Sequence, residues 1–332
     1  MSGVEIFRHI RRRAALALGA AALVLAGTGA AGAFPTKPVT IIVPFAAGGP
    51  SDTIARLFAA SMGQTLGGQV IVENVAGAGS TIGIGRVAKA APDGHTLLVS
   101  HISHATTASL YKTLTYDPVG DFAPVGMMTD GAFVLVSRKD FPAGSVAELF
   151  QKIKAGGEKI SYAHAGVGSG SHLCGLMIQN ALGARMNEIP YRGTGPALSD
   201  IVSGKVDLLC DQITSALPQI QGGSVKAHAV TSKAPVAALK LPTVAESGIK
   251  DFEITIWHGL YAPKGTPADV IAKLNGALKA ALKDPTILKR LDTLSTIAAT
   301  EKQANPDFLR QRLVAEIANW KGIIEKAGIK AE

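Results

Sequence analysis

The 332 residues carry 33 Lys+Arg against 25 Asp+Glu, a formal net charge of +8, and 47% of them are hydrophobic. Such a length is ample for two domains, while two cysteines are too few for a cysteine-built metal cluster. The basic residues are scattered and do not interleave with aromatics, which excludes a nucleic-acid surface.

The chain opens on Arg8, Arg11, Arg12 and Arg13, continues with a small-residue apolar run over 14–26, and reaches Ala31-Gly32-Ala33. This order of basic, apolar and small residues predicts a secretory signal peptide over 1–33, cleaved after Ala33, by either the general or the twin-arginine route. A membrane anchor is the competing reading, but the run is shorter than the roughly 20 strongly apolar residues a span needs. Four arginines and Glu5 leave with the segment, so the net charge of +8 becomes +5, a mild field that favours encounter with small anions.

Residues 39–43 predict a strand, which runs through Pro44, Phe45, Ala46, Ala47, Gly48 and Gly49 into a helix over 51–66. Ser51 or Asp52 is the expected cap, and the turn aims unpaired backbone N–H groups and a helix dipole at whatever lies in front of it. A strand over 69–73, a helix over 81–90 and a strand over 96–100 continue the β-α-β rhythm of a parallel sheet covered by helices. A second series follows residues 134–137: helix 146–155, strand 160–163, helix 171–182, strand 187–190, helix 196–203, and strands 206–210 and 227–231. Residues 253–262 read as another strand. Helices over 267–282, 285–294 and 306–327 each start at or near proline and are expected to pack back onto the first module. The chain then crosses twice between two α/β modules, near 133–137 and 255–260, leaving a cleft between them.

Four loops after strands carry glycine or small polar residues: 45–52, 74–80, 100–103 and 165–172. Gly77-Ala78-Gly79-Ser80 resembles the start of a dinucleotide fingerprint, but Ile82 holds the third glycine position, and no P-loop is present. The stretch from Gly166 to His172 sets serine beside histidine without nucleophile-elbow spacing, so Ser169 and Ser171 read as caps and ligand donors rather than nucleophiles. His101 and His104 are close, whereas His95, His164 and His172 show no helical pair and no Glu partner, so no metal and no cofactor are expected. Asp211 either ends a strand at the cleft or caps the next helix, Asp52 reads as a cap, and Thr194 is a ligand donor in a turn where Arg192 is solvated. Cys174 and Cys210 form one disulfide if their Cα atoms come within about 7 Å, or else pack as separate buried thiols.

Phe34-Pro35-Thr36-Lys37-Pro38, Ile42-Val43-Pro44-Phe45-Ala46-Ala47-Gly48-Gly49 and Asp52 resemble the start of the tripartite tricarboxylate transporter substrate-binding proteins, or Bug receptors. The likeness runs on through Asn74-Val75-Ala76-Gly77-Ala78-Gly79-Ser80, Ala91-Pro92-Asp93-Gly94, Gly168-Ser169-Gly170-Ser171-His172-Leu173, Pro190-Tyr191-Arg192-Gly193 and Ala262-Pro263-Lys264-Gly265-Thr266-Pro267. It implies an α/β, two-lobed periplasmic-binding-protein-like fold, each lobe a mainly parallel sheet flanked by helices. Lobe 1 would span 34–134 plus 255–332, and lobe 2 would span 135–254.

The same resemblance implies a periplasmic, non-enzymatic, monomeric receptor that takes a small mono- or dicarboxylate to an integral-membrane transporter through transient contact. Phe45, Ala46, Ala47, Gly48 and Gly49, with Gly77, Gly79 and Ser80, would grip one carboxylate, partly through ordered water, beside Ser103 of the third loop. Gly168, Ser169, Ser171, Thr194 and Asp211 would complete the site from the other lobe. Leu209-Cys210-Asp211-Gln212 departs from the family's usual aromatic-Asp pairing. A sensor subunit for a signalling receptor, or a secreted hydrolase using Ser169 or Ser171, are the alternatives.

Overall fold

Val39, Ile41, Ile42 and Val43 are fully shielded from solvent, so the first apolar run becomes an interior strand, β1 (Val39–Val43). The computed structural model describes residues 34–111 and 113–327, and the export segment expected at 1–33 lies outside the described residues. β1 sits between β2 (Val70–Asn74) and β3 (Thr96–Ser100), parallel to both, with Ile41 opposite Val72 and Leu97. α1 (Pro50–Leu66) and α2 (Thr81–Ala88) make the crossovers, and α3 (Ile102–Leu110) follows β3.

β4 (Phe122–Arg138) leads to a second set: α4 (Val146–Gly156), β5 (Ser161–His164), α5 (Gly170–Leu182), β6 (Asn187–Pro190) and α6 (Thr194–Val202). β7 (Leu208–Gln212), α7 (Ile213–Gln221) and β8 (Val225–Val230) complete it. β5 lies between β6 and β7, parallel to both, which repeats the arrangement around β1. The chain returns through β9 (Thr255–Pro263), α8 (Ala268–Ala281), α9 (Pro285–Thr293), the short β10 (Ile297–Ala298) and α10 (Pro306–Ala327).

The two parallel trios are joined through β4. Its first part pairs antiparallel with β9, as far as Ala132 opposite Thr255, and its second part pairs antiparallel with β7 from Phe133 opposite Gln212. The result is one mixed, continuous sheet with helices against it. α8 packs on α1, and α10 packs on α3 and β4, as expected for helices returning to the first module. α10 does more than that: its Trp320 and Ile324 share an apolar cluster with Phe133, Tyr162 and Phe252, so the last helix also supports the second set of strands. Burying a side chain of that size contributes roughly 1.5–3 kcal/mol. Cys174 of α5 and Cys210 of β7 are joined in a disulfide, their Cα atoms 6.3 Å apart.

Three of the differences from the sequence expectation bear on the site. The strand expected at 134 begins at Phe122, because register shifts between Pro124 and Gly126 and between Met127 and Thr129 let proline and glycine sit in a ladder they would otherwise break. The third expected loop is in fact the start of α3, whose residues are almost all buried and so show no polar face to reveal a period. α7 was hidden by Pro218 inside it. Among the described residues no helix is long and apolar enough to cross a membrane.

Candidate functional site

Five helices begin on one small cavity of about 20 Å³. Gly49 caps α1, His101 caps α3, Ser169 caps α5 and Gln212 caps α7, and all four line the cavity; α6 contributes its first residue, Thr194, after Gly193. The caps of α1, α6 and α7 carry no side-chain hydrogen bond to the helix, so their first-turn N–H groups are unshared with a capping side chain. Each helix end adds a positive partial charge, and an anion between such ends gains roughly 0.3–2 kcal/mol per dipole.

The cap of α1 corrects the expectation of Ser51 or Asp52. Gly49 takes the cap position, and Asp52 reaches back from the third helical residue to accept the Gly48 N–H at 3.1 Å. Arg56 holds the same carboxylate at 2.9 Å and also donates to Asn74 Oδ1, while Asn74 donates to Phe45 O. Burial works to raise the Asp52 pKa, but the bonds from Arg56, Gly48 and Asn74 outweigh it and hold the carboxyl below its ordinary range. Phe45 stacks on the His101 ring at 4.8 Å and closes one wall.

On the other side, β5 delivers His164 and the loop after it. Ser169 Oγ accepts the His172 N–H, Ser171 Oγ accepts the Ala165 N–H at 2.9 Å, and the two hydroxyls lie 3.1 Å apart. The two sides touch directly: Ala46 N–H donates to Arg192 O at 2.8 Å. A Cβ on Gly195 would lie 2.7 Å from Ala47 O, so only glycine permits that approach.

Of the residues expected at the site, Phe45, Ala46, Gly49, Ser169, Ser171 and Thr194 line the cavity. Ala47 and Gly48 belong to the same turn behind it. Gly77, Gly79 and Ser80 do not reach it: their turn, left-handed at Gly79 (φ +58°), packs on the 165–172 loop, where a Gly79 Cβ would stand 2.1 Å from Val167 O. Ser103 is buried in the first turn of α3, its N–H bonded to His101 Nδ1. Gly168 lies outside the cavity and accepts from Thr106 Oγ1 at 2.7 Å. Asp211 sits within β7, fully buried, accepting from Ser215 Oγ and Gln212 N–H; burial raises its pKa to about 6 against the pull of those bonds.

Sequence reasoning missed Phe133 and Gln212 as wall residues, and it singled out the loops 100–103 and 165–172 without naming His101 or Ala165 in them. His101 and Gln212 cap the two helices that were not foreseen, so their only signal was a polar residue ending a strand. A larger groove of about 1010 Å³ runs along Ala132, Ile213 and Trp320, and its wall shares chain neighbours with the small cavity: Ala132 beside Phe133, Ile213 beside Gln212. Among the described residues its walls carry Asp130, Glu253, Asp292 and Glu316 but only Arg312 as a cation, a poor setting for an anion, so the small cavity is the candidate site.

Two further constellations bear on chemistry. Ser51 Oγ lies 3.1 Å from His258 Nε2, whose Nδ1 meets Thr129 Oγ1 at 3.1 Å. Burial pushes His258 down to about 3 and a hydroxyl, not a carboxylate, orients it, so the ring is a weak base. The expectation that His172 has no Glu partner is corrected: Glu188 Oε2 of β6 is 3.6 Å from His172 Nε2, and His164, His172 and Glu188 present ligand atoms within 4.8 Å of one another. β6 lies beside β5, which sequence spacing alone does not reveal.

The profile of the family described as tripartite tricarboxylate transporter family receptor matches residues 54–329. An Agrobacterium vitis protein, described as a UPF0065 protein in the TAR-I ttuE-ttuC' intergenic region, is 47% identical over 296 residues, 89% of this chain and 86% of its own. Among solved structures, the periplasmic binding protein BugD superposes with a TM-score of 0.88 at 45% identity, covering 90% of this chain and all of its own. MatC of Rhodopseudomonas palustris with bound malate superposes at 0.85 with 40% identity, covering 88% of this chain and all of its own.

Proposed function

Because the chain belongs to the tripartite tricarboxylate transporter receptor family, we propose that it is an extracytoplasmic solute-binding receptor that captures a small mono- or dicarboxylate and hands it to a tripartite tricarboxylate-type membrane transporter. The convergence of five helix N-termini on one cavity carries this reading, three of them without a side-chain cap. Backbone donors and dipoles neutralise the carboxylate there, in place of an arginine. The malate held by MatC supports a dicarboxylate for this chain, and the export segment at 1–33 supports a periplasmic location.

The cavity of about 20 Å³ has room for little more than one water, so a dicarboxylate enters only after the 45–49 turn and the 192–195 turn part. Opening breaks the Ala46–Arg192 hydrogen bond, and closure over the ligand restores it, a hinge motion centred where β4 changes partner at Ala132 and Phe133. Calorimetry against malate and a panel of mono-, di- and tricarboxylates tests the reading. Saturable one-to-one binding without turnover supports it, and failure of every acid in the panel overturns it. Uptake of the bound acid by vesicles carrying the transporter subunits, only when the protein is added, tests the handover.

A further inference from the structure

We propose that His164 and His172 are positioning residues for the ligand loop at 165–171: each lends its Nδ1 lone pair to a loop N–H, so protonating the pair releases the loop and weakens ligand binding. The inference rests on the carboxylate-receptor reading for its binding consequence, but not for its geometry.

His164 ends β5 and accepts the Gly166 N–H on Nδ1 at 3.2 Å; His172, in the first turn of α5, accepts the Gly168 N–H on Nδ1 at 3.2 Å. Both rings are buried and lie 4.6 Å apart between centroids. The loop pinned at these two points presents Ala165, Ser169 and Ser171 to the cavity. A neutral imidazole that accepts on Nδ1 carries its proton on Nε2. His172 therefore turns its Nε2–H toward the Glu188 carboxylate, whose other oxygen is held by Gln179 at 2.8 Å, and a ring nitrogen of His164 lies within 4.8 Å of both. A metal would need the Nε2 lone pairs and would drive the protons onto Nδ1, against the two loop N–H groups. The cluster fits proton sharing better than metal binding.

Since Nε2 already holds a proton, a second proton must enter at Nδ1. There it faces a backbone donor, and the loop bond is lost. Burial, then the neighbouring His172, push His164 down to about 4. Burial acts to raise Glu188, but its bonds to His172 and Gln179 hold it below the ordinary range, so it stays ionised beside the two rings. Among the described residues, Tyr162 interacts electrostatically with Glu188, and Asp211 with Tyr162. Tyr162 of β5 is pushed far up by burial and stays neutral, bonded to Ser171 O, and Asp211 of β7, near Tyr162, titrates at about 6.

The test compares wild type with two double variants from about pH 7 to about pH 3, a range that brackets the value of about 4 to which His164 is pushed. His164→Asn with His172→Asn keeps an oxygen acceptor near each Nδ1 without a titrating group, whereas His164→Gln with His172→Gln removes the acceptor. In ligand-free wild type, the Gly166 and Gly168 amide resonances move together on acidification, and in the Asn variant they stay put. Malate affinity of wild type falls about tenfold across the range, the Asn variant keeps neutral affinity within about threefold and loses most of the fall, and the Gln variant is weak throughout. Malate and Asp211 titrate alike in all three proteins, so the differences report the pair. Amides that do not move in wild type, or an Asn variant that copies the wild-type profile, overturn the proposal. If malate does not bind at neutral pH the carboxylate reading has failed, and the amide titration still decides the role of the pair.

Discussion

Around the cavity, α1 starts on a bare glycine, while α5 starts on a serine whose hydroxyl is already engaged by the His172 N–H. The 45–49 turn is held from behind, by Asp52, Arg56 and Asn74, which leaves its front clear. The 165–171 loop is held from within, by Ser169, Ser171, His164 and His172, which use up donors and acceptors of the loop itself. The first side is built to offer unshared backbone N–H groups to an anion. The second is built to hold hydroxyls and a short loop in register, and its strength depends on protons and on the scaffold beneath.

The largest expected effect separates scaffold from cradle. The Cys174–Cys210 bond closes a segment with a sequence separation of 36 and ties α5, which follows the 165–171 loop, to β7, and by loop-closure entropy Cys174→Ala with Cys210→Ala costs about 4 kcal/mol of stability. Urea unfolding should show that loss, while malate affinity at a temperature where the variant stays folded changes less than about threefold. A matching loss of affinity would mean that the second side, not the first, provides the main grip.

Gly195→Val acts in the opposite sense. Its Cβ would lie 2.7 Å from Ala47 O and 3.0 Å from Gly49 N, at a backbone angle open to any residue, so the variant should fold with nearly unchanged melting temperature and fail to close. Affinity should drop at least about a hundredfold, about 2.7 kcal/mol by calorimetry. Unchanged affinity would show that the two turns need not meet around the ligand.

Asp211 tests the second side by pH. Its carboxyl is raised in the fold to about 6, so the folded protein binds the proton more tightly than the unfolded chain. The associated stability is complete below about pH 4 and is lost as pH rises through about 6, a fall of about 3 kcal/mol. Asp211→Asn should flatten that fall in thermal or urea melts between those limits. His164 and His258, whose pKa values are lowered, contribute with the opposite sign and remain in both proteins.

Much of this was legible in the chain. The strands expected at 39–43, 96–100 and 187–190 end where they were expected to end, and the glycine turn at 45–49 and the serines at 169 and 171 do reach the cavity. What was not legible depends on contact between distant segments. Gly77 to Ser80 looks like an anion turn by itself, yet it is used to dock on Val167, which only the closed pairing of the two sides reveals. Glu188 is solvent-like by its sequence neighbours and meets His172 only because β6 lies beside β5. His101 and Gln212 cap helices whose own residues are too buried, or too interrupted by proline, to show a helical period.

The smallest effect comes from behind the first turn, and it distinguishes its two supports. Asp52 is almost wholly buried and accepts the Gly48 N–H, whereas Arg56 leaves 53% of its side chain in solvent. Solvent screens the Arg56 charge, so its ion pair contributes well under 1 kcal/mol. Arg56→Met should then weaken malate binding less than about twofold. Asp52→Asn keeps the shape but weakens the bond to Gly48, and a lost bond to a charged acceptor predicts about 1–2 kcal/mol, roughly a five- to thirtyfold fall in affinity. Because the Asp52 pKa is lowered in the fold, its contribution is present above about pH 4 and disappears as pH falls further. Wild type and Asp52→Asn should therefore converge in stability under acid. If Arg56→Met proved the more damaging, the guanidinium would be acting on the ligand through space, and the first turn would owe its grip to a charge rather than to its backbone.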